Sequence, residues 1–80
     1  MPTRTVPVSL RALIARINRK LRADDQMLKA TRGERARGDL GDFYLLDFNR
    51  NIIRDQRVDP EELGRELGVL KPWETVKNGD

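Results

Sequence analysis

The sequence predicts an α+β fold, and three observations carry that prediction. Apolar residues recur at helical spacing from Leu10 to Leu28, two runs of strand formers flank an Asn-rich turn, and Asp59-Pro60-Glu61-Glu62 has the composition of a helix start. A chain of 80 residues falls below the ~100–150 of a common domain, so it holds one domain at most. The expected order is helix, strand, strand, helix, with the compact unit spanning 9–74.

Residues 1–8 contain Pro2 and Pro7 and read as an irregular N-terminal arm. Ser9 is the expected N-cap of a long first helix, 10–31, whose stripe is Leu10, Leu13, Ile14, Ile17, Leu21 and Leu28. Asp24-Asp25 is the one place where that helix would break and a second be capped. The glycine-bracketed stretch from Gly33 to Gly41 reads as a mobile basic loop.

Residues 43–48 and 52–58 are rich in strand formers, and Asn49-Arg50-Asn51 supplies a tight connection between them. Alternation puts Tyr44, Leu46 and Phe48 on one face and Phe43, Leu45 and Asp47 on the other, both largely apolar. One face packs on the first helix; the other needs the C-terminal segment or another subunit. The hairpin is antiparallel. Asp59 as N-cap, Pro60 at the first helical position and two acids in the first turn predict a helix over 60–67. Gly68 suits the left-handed position after it, and the tail 75–80 is expected to fray.

Composition excludes several functions. There is no Cys and no His, so disulfides, thiolate nucleophiles, imidazole catalysis and the common zinc sites all go. No loop has calcium-binding spacing, and neither metal nor cofactor is expected. No apolar run approaches the ~20 residues needed to span a bilayer, and no secretory signal is read, so the expected compartment is the cytoplasm and no membrane partner is expected. Asp47, Asp55 and Asp59 are weighed as a carboxylate cluster and set aside, because Asp59 caps a helix and Asp55 alternates with basic residues. No nucleophile–base pair is present, so no enzyme and no small-molecule substrate are expected.

Charge is the informative feature. Residues 1–37 hold ten basic residues against three acidic, a net of +7, whereas 38–80 hold six against ten, a net of −4. Such asymmetry points to an anionic partner or to head-to-tail attraction between copies of the same molecule. Arg11, Arg16, Arg19, Lys20, Arg22 and Lys29 wrap the solvent arc of the first helix, and Arg32, Arg35 and Arg37 extend it through a flexible loop. Arg50 is placed at the hairpin tip. A phosphate backbone would be attracted to this surface in a salt-dependent way. The competing reading is a solvated basic face neutralised by the acidic half.

Trp73 either locks the C-terminal turn or anchors a partner. With the hairpin face of Phe43 and Leu45, it makes the alternative function a protein–protein interaction module, a regulator or inhibitor, with a homodimer as one form. A winged-helix fold is disfavoured because it needs three helices before the wing. The double-stranded-RNA-binding fold is disfavoured because two strands are legible where it needs three.

The run Leu63-Gly64-Arg65-Glu66-Leu67-Gly68-Val69-Leu70-Lys71-Pro72-Trp73-Glu74, preceded by the Asp47/Asn49/Asn51 turn, resembles small, uncharacterised bacterial proteins associated with mobile-element genes. The likeness covers about half of the chain. It implies a bacterial, cytoplasmic setting and carries no catalytic motif. The leading expectation is therefore a small, non-enzymatic, basic protein that binds nucleic acid with low sequence specificity.

Overall fold

A computed structural model describes residues 5–77. The α+β class holds, with more elements than the sequence showed. In chain order they are β1 (Val6–Ser9), α1 (Leu10–Leu21), a single 3-10 turn (Arg22–Asp24), β2 (Gln26–Ala30), α2 (Glu34–Leu40), β3 (Phe43–Asp47), β4 (Ile52–Asp55), α3 (Pro60–Glu66) and β5 (Glu74–Lys77). Strands β2, β3 and β4 form an antiparallel sheet in that order, and β1 and β5 pair in parallel.

Ser9 caps α1 as expected, its hydroxyl accepting from the Ala12 amide at 3.1 Å. The helix then stops at Leu21, ten residues short of the expected end. Asp25 takes a left-handed backbone, φ 58°, and turns the chain back as β2. Leu28 lies seven residues after Leu21, a spacing that a helix and a returning strand both satisfy, which is why the stripe seemed continuous. Asn18 decides between them. Its side-chain amide accepts from the Leu28 N–H at 2.7 Å and donates to the Leu28 carbonyl at 3.3 Å, filling the edge of β2 that no strand occupies.

The expected loop between Gly33 and Gly41 contains α2. Ala36 and Leu40, one turn apart, are its half-buried pair, and Glu34 and Arg37 suit the two ends of its dipole. The expected arm and frayed tail are likewise corrected where they are described, because residues 6–9 and 74–77 pair with each other, whereas 1–4 and 78–80 lie outside the described residues. Val6 donates to the Trp73 carbonyl at 2.8 Å, so alternate residues of β1 face β5. Pro7, which has no N–H, falls on the outer edge, where no ladder bond is lost. The third strand, β2, also removes the strand count that disfavoured a double-stranded-RNA-binding arrangement.

The hairpin and α3 match their expectations closely. The Asp47 carboxylate accepts from the Asn49 and Arg50 amides at 3.1 and 3.0 Å, and Asn51 has φ 57°. Asp59 caps α3 by accepting from Glu61 at 3.0 Å. Gly68, φ 75°, closes a Schellman turn: its N–H donates to Arg65 at 3.2 Å, and that of Val69 to Gly64 at 2.9 Å.

Val8, Leu13, Ile17, Leu21, Leu28 and Leu70 form the buried core, with Ile14, Phe43, Leu45, Leu63, Leu67 and Val76 against it. Phe43 and Leu45 thus belong to the covered face of the hairpin, which corrects their assignment as partner-binding residues. The sheet's other face presents Met27, Leu46 and Ile53, which are cross-strand partners, together with Lys29 and Tyr44. The molecule is 16 Å across its shortest axis. That thickness accommodates a helix layer on a sheet layer, since packed layers lie ~10 Å apart, and on the outward face α2 approaches only the end beside Lys29 and Tyr44.

Candidate functional site

Four cations stand on α1, which contains no acidic residue: Arg11, Arg16, Arg19 and Lys20. Its inward stripe of Leu13, Ile17 and Leu21 fixes the opposite arc to solvent. Arg19 and Lys20 occupy the last turn, where positive charge suits the carbonyl end of the dipole. The Gly68 turn brings Val69 and Lys71 alongside. Together they enclose an open groove of about 550 Å³ lined by Arg16, Arg19, Lys20, Lys71 and the single acid Glu74.

Glu74 is already committed. Its carboxylate accepts from the Lys71 amide at 2.8 Å and from both sides of an Arg16 contact, Nη1 lying 2.9 and 3.1 Å from the two oxygens. The Lys71 amide first, and then Arg16, hold its pKa below the ordinary glutamate value. Arg16 Nη1 also donates to the Val69 carbonyl at 3.1 Å. Arg65 braces the same turn, donating to the carbonyls of Lys71 and Glu74 at 3.2 and 3.1 Å. The groove wall is therefore fixed by hydrogen bonds, while Arg19, Lys20 and Lys71 extend freely into solvent.

Of the nine cations of residues 1–37 that are described, two have a carboxylate within ion-pair distance among the described residues. Arg16 pairs with Glu74, and Arg37 with Asp42 at 3.4 Å on an exposed surface where such pairs contribute little. Arg11, Arg19, Lys20, Arg22, Lys29, Arg32 and Arg35 are exposed and have none. The remaining basic residue, Arg4, lies outside the described residues. Among the described residues, ion pairing of these cations with the acidic half is thus confined to Arg16 and Arg37: Glu61 pairs with Arg65 of its own helix at 3.2 Å, and Asp47, Asp55 and Asp59 each accept from a neighbouring backbone amide.

The predicted residues do not form one continuous patch. Arg16, Arg19 and Lys20 meet in the groove; Lys29 and Arg32 meet at the sheet–α2 end; Arg22 lies beside Asn18, Gln26, Met27 and Phe48. Arg11, Arg35 and Arg50 are exposed singly, Arg50 at the hairpin tip. Lys29 stands on a strand, not on α1, so its expected place on the solvent arc of the first helix is corrected. Lys71 is a groove residue that the sequence reading missed; Gly68 was the signal, since its turn returns the chain to α1. Trp73 is 50% exposed, and its backbone, not its ring, ties the turn to β1.

Among the described residues no three acidic or other metal-ligating side chains come together, and no helix is long and apolar enough to cross a membrane. Compared with protein-family models, curated proteins and solved structures, the chain matches none, so the reading of this surface follows from its own chemistry.

Proposed function

We propose that this is a small, non-enzymatic accessory protein that binds nucleic acid through its phosphates with low sequence specificity. One observation carries the reading: seven described cations of the amino-terminal half are exposed and lack a carboxylate partner among the described residues. Arg19, Lys20 and Lys71 lie along one groove, a geometry suited to a backbone of repeated charges. Guanidinium and ammonium groups on long side chains position a duplex without reading its bases.

Binding to a labelled duplex between ~50 and ~200 mM salt tests this reading. The triple variant Arg19→Gln, Lys20→Gln, Lys71→Gln leaves Arg16 and its Glu74 pair intact. It is expected to lower affinity at the lower salt and to reduce the slope of log K against log salt by about 3, roughly one per lost phosphate contact. An unchanged slope rejects the assignment.

The uncovered sheet face supports a second reading, a protein partner or a second copy of the chain. Met27, Leu46 and Ile53 align across three strands on that face, and Ile53 is 44% exposed. Light scattering across a wide concentration range separates the two forms: a constant monomer mass leaves only a different protein as partner.

A further inference from the structure

A second concavity, about 220 Å³, opens where the outward face of the sheet meets α2. Lys29, Thr31, Arg32, Ala36, Leu40 and Tyr44 line it. Lys29 and Tyr44 are cross-strand partners, so the register places an ammonium group and a phenol ring side by side on the same face. Arg32 follows the end of β2. Ala36 and Leu40 supply an apolar wall one helical turn long.

Thr31 provides an independent observation. It is 6% exposed, and its Oγ1 is buried without a hydrogen-bond partner among the described residues. Its N–H is satisfied by the Asp42 carbonyl at 2.9 Å, which fixes the residue where it stands. Buried hydroxyls are nearly always paired, and an orphan beside a concavity marks a place where a ligand group completes the bonding.

We propose that this concavity is a subsite for one unpaired nucleobase of a single strand. Tyr44 offers the stacking face, Ala36 and Leu40 the apolar wall, Thr31 the hydrogen-bonding group, and Lys29 and Arg32 hold the flanking phosphates. Its volume lies below the ~300–1,000 Å³ of sites that enclose drug-sized ligands, which suits a single planar ring system rather than a whole cofactor. An aromatic side chain from a protein would satisfy the wall but leave both cations unopposed. The proposal rests on the nucleic-acid reading and adds the strandedness and the place of base contact.

Fluorescence anisotropy with a labelled dodecamer strand, its duplex, and the same strand carrying abasic residues tests it at fixed salt. The base-bearing strand is expected to bind about tenfold more tightly than the abasic one, a comparison that needs no protein variant. Tyr44→Ala and Thr31→Val are expected to reduce that ratio while duplex affinity stays within about twofold, and Tyr44→Phe to retain it. Equal affinity for abasic and base-bearing strands overturns the subsite while leaving duplex binding through α1 standing. Failure to bind any of the three nucleic acids at ~50 mM salt overturns the parent reading as well.

Discussion

Asn18 does for the open edge of β2 what a neighbouring strand does elsewhere. Its amide meets both backbone groups of Leu28, a residue 2% exposed. Asn18→Ala is therefore expected to lower unfolding free energy by about 1–3 kcal/mol, the penalty for stranding buried polar groups, read from urea melts. Nucleic-acid affinity of the folded variant should be unchanged, since Asn18 carries no charge. Glu74 is the second residue whose partners set a measurable outcome. Its folded pKa is depressed, first by the Lys71 amide and then by Arg16, so its contribution is present above the unfolded glutamate pKa and is lost as pH falls through the lower folded value. Thermal midpoints measured from neutral to acid pH should fall more steeply for the wild type than for Glu74→Gln, which has no proton to take up. Parallel acid limbs would remove Glu74 from the account.

At the scale of elements, two glycines make opposite predictions for one substitution. A Cβ on Gly64 of α3 would lie 2.8 Å from Leu13 Cδ1 and 3.4 Å from Leu70 Cβ, and Leu13 is fully buried. Gly64→Ala therefore separates α1 from α3 and should cost a net ~1 kcal/mol, overpacking outweighing the gain in helix propensity. Gly38 in α2 would meet nothing within 4 Å, so Gly38→Ala should stabilise by about 0.5–1 kcal/mol. Denaturation midpoints moving in the same direction would contradict this packing. These elements also mark what could be read from sequence. Ser9, Asp59, Gly68 and the Asp47–Asn51 turn were legible because each acts on its immediate neighbours. Strand β2 was not, because a heptad spacing between leucines fits two conformations and the deciding contact comes from Asn18, ten residues away. The β1–β5 pair joins segments nearly seventy residues apart, which no local pattern encodes. The cations of the site were legible individually. Their division into a groove with Lys71 and a separate cluster with Tyr44 depended on the Gly68 turn and the unforeseen strand.

For the whole molecule, the balance between paired and unpaired charge fixes how the fold responds to salt. Arg16–Glu74, Arg37–Asp42 and Arg65–Glu61 are the ion pairs among the described residues. The last two are exposed and contribute little at any ionic strength. Arg16–Glu74 is sheltered on the carboxylate side, with the Glu74 side chain 11% exposed, so salt screens it weakly. Against these stand seven exposed cations in the amino-terminal half, three of which, Arg11, Arg19 and Lys20, share α1 with no acid on that helix to offset them. Their mutual repulsion is a solvent-exposed interaction, which salt screens within ~8–10 Å at physiological ionic strength. The thermal midpoint is therefore expected to rise by several degrees between ~20 and ~200 mM sodium chloride, since ~1 kcal/mol moves a domain of this size by about 4–8 °C. A bound polyanion should raise it further at low salt by linkage, and that increment should shrink in the Arg19, Lys20, Lys71 variant. A midpoint that falls with added salt would mean attraction between the halves prevails, and the open cationic surface on which phosphate binding depends would not exist.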